Sequence, residues 1–271
     1  MTRIAGYELI ASPCCRSMYA KARFSSVNFS SSAFWTDGKR ENSLMPNDGG
    51  LRKCKCGKYF LLSDCTTTGL DAGENPNFPQ HVHESELPYA IQTASSESVE
   101  LAVRRTYWMY LNDSYREKYK SHREAEDAQT ELMWALEWNK ENPDKRSITR
   151  KFCDNLLRRK APSAPPAKDK PFTFPDFEPT EIQTENMLRL VELVTSQPEK
   201  YSKDYPVELA ELFRELGMFN EAISLLQNIS AENQDELTGL ILKMASEKHT
   251  APIRYRYWVF RSNVTSDSGR T

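Results

Sequence analysis

Residues 49–65, GGLRKCKCGKYFLLSDC, place three cysteines beside lysines, a glycine and a short apolar run. Five of the six cysteines of this 271-residue chain fall in its first quarter, and the sixth is Cys153. So few cysteines in a chain of this length do not make a disulfide scaffold, and in a reducing compartment they are thiols or metal ligands. Their grouping near the N-terminus favours a metal site.

The segment between the two cysteine groups favours a β-hairpin. It is rich in Phe, Val, Trp and Ser, and Asp37-Gly38 suits a tight two-residue turn that needs positive φ. Thiol-bearing loops on either side of a hairpin are typical of a zinc ribbon, in which both loops bind one tetrahedral ion. Gly57 suits the sharp turn of the second loop, and the lysines flanking Cys54 and Cys56 favour the thiolate form.

We predict a structural zinc ion bound by Cys14, Cys15, Cys54 and Cys56. Cys15, Cys54 and Cys56 are ligands in every arrangement that we consider. The fourth ligand is Cys14 or Cys65, because Cys14 is adjacent to Cys15 and adjacent residues reach one ion only from a strained loop. Further reserve ligands are His81 and His83, a His-x-His pair that is more often simply solvated. The alternatives are idle thiols and a redox pair; the latter lacks the Cys-x-x-Cys spacing at the start of a helix.

The first quarter of the chain resembles the N-terminal signature of uncharacterised bacterial proteins that join a zinc-ribbon-like module to a helical, repeat-like C-terminal part. The shared features are a turn, a dipeptide and one cysteine of each knuckle: Trp35-Thr36-Asp37-Gly38, Met45-Pro46, Cys15 and Cys56. The first knuckle of those proteins is Cys-Pro-x-Cys. Its first cysteine corresponds to Ser12 here, so Cys14 must substitute for it. The resemblance implies a module and no particular reaction.

Helical periodicity follows the cysteine-rich part. Residues 96–111 open with a Ser and Glu start signal, and a second apolar stripe ends at Pro143. Six prolines in residues 161–180 predict an extended linker. Beyond the linker, AELFRELGMFNEAISLL resembles one tetratricopeptide-type helix pair, with Gly217 in the turn and Ala222 at the close approach. An ordinary α-hairpin bundle fits this stretch equally well.

These patterns together predict an α+β protein with a small N-terminal β unit and a mostly helical remainder. The predicted parts are a zinc-ribbon-like module (1–75), a connector and helical region (76–160), a proline-rich linker (161–180), a tetratricopeptide-like unit (181–250), and an edge strand with a disordered tail (251–271).

A local basic stretch contrasts with the net charge of −2, which provides no global attraction to nucleic acid or membrane. Its cationic residues are Lys145, Arg146, Arg150, Lys151, Arg158, Arg159 and Lys160. Such residues contact phosphates in nucleic-acid complexes, although a solvated helix face is the commoner role. Binding to nucleic acid is therefore the alternative hypothesis.

The sequence contains none of the catalytic motifs that we sought, such as His-Glu-x-x-His, a phosphate-binding glycine loop or a Gly-x-Ser-x-Gly elbow. An enzyme is disfavoured. A catalytic zinc ion would need a nearby acid or base, and Asp64 is the one carboxylate close to the cysteines that we consider for this role. There is no signal-peptide core and no apolar stretch of about 18 residues. We expect a cytoplasmic interaction or adaptor protein whose helices bind another protein.

Overall fold

The computed structural model describes residues 3–26, 33–41, 47–69, 77–141, 174–196, 205–229 and 235–255. The chain divides into two units, one made of residues 1–112 with 178–271 and the other of residues 113–177. Short antiparallel strands dominate the N-terminal part and helices the rest, which confirms the predicted α+β class. No helix within the described ranges is long and apolar enough to cross a lipid bilayer.

The strands of the larger unit form three small antiparallel sheets. They are β1 (Arg3–Ala11), β2 (Met18–Ser26), β3 (Ala33–Trp35), β4 (Arg40–Glu41), β5 (Leu51–Lys53), β6 (Tyr59–Leu61), β7 (Thr66–Gly69), β8 (Gln80–His81) and β9 (Arg254–Tyr255). The sheet orders are β2-β1-β7, β4-β3-β9 and β6-β5-β8. The second of these sheets is therefore completed by a strand near the C-terminal end of the described chain.

The hairpin predicted at Asp37-Gly38 is present, but it belongs to a different sheet from the cysteine-bearing turns. It joins β3 to β4, and Gly38 has the positive φ, 87°, that the turn requires. The four predicted ligands, Cys14, Cys15, Cys54 and Cys56, lie instead in the β1–β2 turn, residues 12–17, and in the β5–β6 turn, residues 54–58. Hydrophobic alternation identifies strands but not which strands pair, so the order of the hairpins could not be read from it.

Some of the helices begin at a side-chain cap. The helices are α1 (Leu87–Gln92), α2 (Glu97–Leu111), α3 (Asp113–Glu141), α4 (Glu181–Ser196), α5 (Tyr205–Glu215), α6 (Phe219–Gln227) and α7 (Glu236–Ser246), with 3₁₀ turns at Leu62–Asp64 and Glu84–Glu86. The Ser96 hydroxyl accepts the Val99 amide at 3.3 Å before α2, and the Asp235 carboxylate accepts the Thr238 amide at 2.8 Å before α7. Both caps satisfy amides that a first helical turn leaves without a partner.

Helix α2 contributes to two separate cores. Val99 and Val103 are buried in a cluster with residues of β5, β6 and α1. Leu101 and Trp108 are buried in a second cluster with apolar residues of α4 and α5. Burying a side chain of this size stabilises the fold by about 1.5–3 kcal/mol. The helices on both sides of residues 161–180 thus share one core.

Helices α5 and α6 form an α-hairpin whose turn depends on Gly217. With φ of 76°, Gly217 donates its amide to the Arg214 carbonyl at 3.0 Å, and Met218 donates to the Phe213 carbonyl at 2.8 Å. These two bonds define a Schellman motif, in which the left-handed residue satisfies the last helical carbonyls. Fully buried alanines in α5 and α6 pack together with Leu226 of α6 and residues of α7. A helix pair extended by α7 is therefore present where the sequence predicts one.

The smaller unit contains the long helix α3 and two aromatic residues of the proline-rich segment. Phe177 contacts Tyr115 edge-on, with ring centroids 5.0 Å apart, and Phe174 lies 6.4 Å from Tyr119. Arg116 donates to Asp113 at 2.6 Å one turn away on α3. The segment that precedes α4 thus packs on α3 through its phenylalanines.

A buried polar network connects the helices of the larger unit with the β3–β4 turn. Asn112, at the end of α2, donates to Asp37 and to Glu215, at 3.1 Å in each case, and accepts from Gln183 at 3.0 Å. Trp108 donates its indole N–H to Glu215 at 2.8 Å. Burial, together with the nearby carboxylates of Glu211 and Asp37, raises the pKa of Glu215 well above its ordinary value of 4.5. The folded protein therefore favours the protonated form of Glu215 more than water does.

Replacing Glu215 by Gln should reduce the pH dependence of stability. Because the folded-state pKa of Glu215 is raised, its contribution is fully present below the unfolded pKa and is lost as pH rises through the folded pKa. Gln keeps an acceptor for Trp108 and Asn112 but cannot ionise. The free energy of unfolding, measured in urea, should fall less between about pH 5 and about pH 8 in the Glu215→Gln protein than in the parent.

Glu211→Gln should behave differently from Glu215→Gln. Glu211 binds the fully buried guanidinium of Arg214 through both carboxylate oxygens, at 2.6 and 2.8 Å. Its replacement leaves a buried cation without its anion and should cost about 3–5 kcal/mol. Because the Glu211 carboxylate also raises the pKa of Glu215, its loss should lower that pKa without removing the titration. Identical pH profiles for the parent and Glu215→Gln would show that Glu215 is ionised in the folded protein.

Candidate metal centre

The β1–β2 turn carries Cys14 and Cys15 at its tip. The Ser12 amide donates to the Ser17 carbonyl at 2.9 Å, and the Arg16 amide donates to the Ser12 carbonyl at 3.0 Å. Arg16 adopts a left-handed conformation with φ of 57°, which closes the turn. The pair of bonds fixes the ends of a short loop, so both thiols project from the same end of the hairpin.

The β5–β6 turn carries Cys54 and Cys56. The Cys54 amide donates to the Lys58 carbonyl at 2.8 Å, and the Gly57 amide donates to the Cys54 carbonyl at 2.9 Å. Gly57 has φ of 85°, a conformation that costs a residue with a side chain about 1 kcal/mol or more. Gly57 therefore allows the sharp turn after Cys56, as the sequence predicts.

The two turns bring all four predicted ligands together. The sulfur atoms of Cys14, Cys15, Cys54 and Cys56 lie within 4.8 Å of one another. The Cys15 and Cys54 sulfurs are 3.4 Å apart, and those of Cys14 and Cys56 are 3.5 Å apart. A tetrahedral zinc ion with bonds of about 2.3 Å holds its sulfurs about 3.8 Å apart. The residues present therefore fit a four-thiolate zinc ion, after small movements that separate each close pair.

Ser12, at the start of the first cysteine-bearing turn, lies beside two of the thiols. Its side chain is buried, and its hydroxyl lies 3.6 Å from the Cys54 sulfur and 3.7 Å from the Cys15 sulfur. It also accepts the Ser17 amide at 3.0 Å. Cys14 reaches the cluster from two residues further along the turn, which explains how adjacent cysteines can both join the group. Ser12 supports the thiols as a hydrogen-bonding neighbour.

Tyr19 of β2 is a site residue that the sequence analysis missed. Its hydroxyl donates to the Cys54 sulfur at 3.3 Å and accepts the Lys55 amide at 2.8 Å, and its ring stacks on Phe60. With Ile10 and Phe60, Tyr19 and Cys54 form the small apolar core beneath the thiols. The alternating pattern of β2 could have placed Tyr19 on an inward face, but nothing in the sequence indicated which residues it would contact.

Hydrogen bonds set the protonation of the thiols. Burial by itself would raise the pKa of Cys54, but hydrogen bonds from the Cys56 amide, Tyr19, Ser12 and Cys14 outweigh it and lower that pKa to about 5. The Ser17 hydroxyl and amide lower the pKa of Cys15. Burial, followed by hydrogen bonds to Cys54 and Cys56, raises the pKa of Cys14 to about 12. Metal binding would release the remaining protons.

The lysines that flank Cys54 have other contacts. Lys53 forms an ion pair with Glu86, and Lys55 contributes its backbone amide to Tyr19. Neither is among the main causes that lower the pKa of Cys54. Hydrogen-bond donors lower the pKa of a thiol effectively because they act on the sulfur over about 3 Å. The charge of an exposed ammonium group is screened by water.

The reserve ligands lie outside the thiol group. Cys65 faces the Leu61 carbonyl at 3.7 Å, and burial raises its pKa. The His81 ring is 3.0 Å from an Asp48 carboxylate oxygen, and His83 caps the 3₁₀ turn Glu84–Glu86. Asp64, which we considered for a catalytic zinc, is also outside the group. Within the described ranges the metal-binding group consists of the four cysteines alone.

The basic stretch from Lys145 to Lys160 lies outside the described residues, as does Cys153. No protein-family model matches the chain, and comparison with curated proteins and with solved structures gives no significant match. The resemblance of the N-terminal quarter to zinc-ribbon-containing bacterial proteins accordingly stays a prediction. The function must be argued from the site itself.

Protein purified without added zinc should contain close to one zinc ion per chain, measured by plasma mass spectrometry. Cys54→Ser should lose most of this metal, since serine keeps the approximate size but removes a soft ligand. Cys65→Ser is the matched control, because Cys65 packs against the apolar core beneath the site but lies outside the group of four thiols. Equal metal loss from both variants would contradict the ligand set.

Tyr19→Phe should weaken zinc binding by roughly 10–100-fold, measured by competition with a chromogenic chelator. The change removes the hydrogen bond to Cys54 but keeps the ring that stacks on Phe60. Tyr59→Phe is the control, because the buried Tyr59 hydroxyl has no hydrogen-bond partner in the described part of the chain. If both variants bind zinc as the parent does, the Tyr19 hydroxyl has no influence on the site.

Proposed function

We propose that the protein is an intracellular adaptor whose N-terminal part is held together by a structural zinc ion. The observation that carries the zinc assignment is the convergence of four thiols from two separate turns to within 4.8 Å. Such a group persists as free thiols or as a metal site only in a reducing compartment, which supports a cytoplasmic location.

The ligand set supports a structural role over a catalytic one. Four thiolates complete the tetrahedron and leave no position for an activated water. The apolar core beneath the site consists of Ile10, Tyr19, Cys54 and Phe60, with partly buried neighbours. Since so small a core provides little stabilisation, the metal would supply a large part of the free energy that folds these hairpins.

Metal removal should therefore unfold the cysteine-bearing hairpins. In Cys56→Ser or in chelated protein, hydrogen exchange should accelerate at amides of β1, β2, β5 and β6. Amides of α5, α6 and α7 should keep their protection, because their shared core contains no residue of those strands. Unchanged exchange in β5 and β6 of the Cys56→Ser protein would contradict a structural metal.

A helical surface in the smaller unit supports the adaptor role. Leu132, Met133 and Leu136 of α3 are 61%, 55% and 59% exposed and occupy one side of the helix by their spacing. Trp134 and Trp138, one turn apart with ring centroids 6.1 Å apart, lie on the other side of the helix and are only half-exposed. Apolar side chains grouped on one exposed face are typical of protein-binding surfaces.

Substituting Leu132 and Leu136 by Asp should abolish co-purification of partner proteins with the tagged chain while leaving its zinc content unchanged. The control carries Asp at Ala125 and Ala128, two exposed positions of the same helix, and so introduces the same charge. The partners would be identified by mass spectrometry. Loss of partners from both double variants, or from neither, would exclude this face as the binding surface.

Nucleic-acid binding is the second candidate, favoured by cations around the thiol turns. Arg16, Lys55 and Lys58 are exposed beside the four cysteines. Their contacts with phosphates would release counterions, so affinity for an oligonucleotide should fall steeply with added salt. Binding of that kind, lost in an Arg16→Gln and Lys55→Gln protein but retained with Asp at Leu132 and Leu136, would favour this function over the adaptor.

A further inference from the structure

The larger unit contains a cavity of about 590 Å³ that the proposed zinc site does not use. Its walls come from the β3–β4 turn, the loop before β5, the end of β6, and helices α2, α5 and α7. None of the four thiols lines it. The volume lies in the range of about 300–1,000 Å³ that is usual for small-molecule sites.

The apolar part of the wall is provided by a third side of α2. Ala102 and Met109 lie two turns apart on this helix and line the cavity. Leu61, Val207 and Leu237 line it from β6, α5 and the start of α7. A ligand that fills this space must therefore place a hydrocarbon or aromatic body against these side chains.

The carboxylates of the lining already accept hydrogen bonds from the protein. Glu208 accepts from Arg105, at 2.6 Å for one of the two bonds, and Asp48 accepts from Arg52 at 2.8 Å. Asp37 accepts from Asn112 at 3.1 Å, and Asp235 caps α7. These hydrogen bonds already stabilise the carboxylates. The lining has more carboxylates than guanidinium groups, but this does not by itself select a cationic ligand.

Arg40 is the exception among the charged residues of the lining. Asn47 holds its backbone through two hydrogen bonds, at 3.3 Å to the Arg40 amide and 3.0 Å to the Arg40 carbonyl. Its half-buried guanidinium makes no hydrogen bond or ion pair with any residue in the described ranges. A guanidinium in this position presents a fork of N–H donors that matches the oxygens of a carboxylate or a phosphate.

We propose that this cavity binds a small amphipathic molecule that carries a carboxylate or a phosphate. The oxyanion would pair with Arg40, and the apolar body would lie along Ala102, Met109 and Leu237. The site needs no metal, so it is independent of the proposed zinc function. It would give the larger unit a ligand-binding role, whereas the proposed protein-binding face lies on α3 of the smaller unit.

Calorimetric titration of the zinc-loaded chain with octanoate, octyl phosphate and octyltrimethylammonium would test this proposal. The three probes share one apolar body and differ in the head group. At least one of the two anions should bind once per chain, and its affinity should exceed that of the cation by about tenfold or more. The tighter of the two anions identifies whether the natural ligand is a carboxylate or a phosphate.

Variants locate the binding. Arg40→Gln should weaken the anion by about tenfold or more, and Arg40→Lys should restore part of the loss because it restores the charge without the fork. Ala102→Phe should weaken binding by narrowing the cavity at its apolar wall. Lys118→Gln, which removes an exposed positive charge outside the lining, should bind as the parent does.

Three results would overturn the proposal. These are the absence of saturable binding by either anion up to roughly millimolar concentration, an equal affinity for the cationic probe, and an unchanged affinity in Arg40→Gln. If Ala102→Phe does not fold, the Arg40 variants still decide the question, because they change a half-buried side chain and leave the apolar wall intact.

Discussion

The burial of α2 is the constraint on which the larger unit depends. Val99 and Val103 pack against the β5–β6 hairpin, whereas Leu101 and Trp108 pack against α4 and α5. Its remaining side lines the cavity. A fifteen-residue helix whose sides pack against separate sets of elements must lie between those elements. The N-terminal hairpins and the C-terminal helices are thus held by one element.

The polar network at the end of α2 complements this packing. Asn112 reaches the β3–β4 turn through Asp37, α4 through Gln183 and α5 through Glu215. Apolar contacts tolerate small rotations of a helix, but a fully hydrogen-bonded amide does not. Asn112 therefore fixes the position of the end of α2 more narrowly than its apolar neighbours can. Burial raises the pKa of Glu215, and an ionised Glu215 would be a further buried negative charge beside Asp37 and Glu211.

The sequence was informative where local rules decide the structure. Asp37-Gly38 predicted a hairpin, Gly217 predicted a helix turn, and cysteine grouping predicted the set of thiols that the structure brings together. It was uninformative about pairing over long distances. The partnership of β3 with β9, the sharing of α2 between two cores and the contact of Tyr19 with Cys54 each join residues that are far apart in the chain. Periodicity shows that a face is apolar, but it does not identify the surface that covers it.

The β5–β6 hairpin connects the proposed zinc site to the rest of the larger unit. Its turn supplies Cys54 and Cys56, its strands bury Leu51 and Tyr59 against α1 and α2, and Leu61 at its end lines the cavity. A strand pair of three residues each is not stable alone in water. Thiolate bonds at one end and apolar contacts along its length would therefore stabilise it together. The metal would thus act beyond its own ligands, by holding in place the strands against which the first half of α2 is packed.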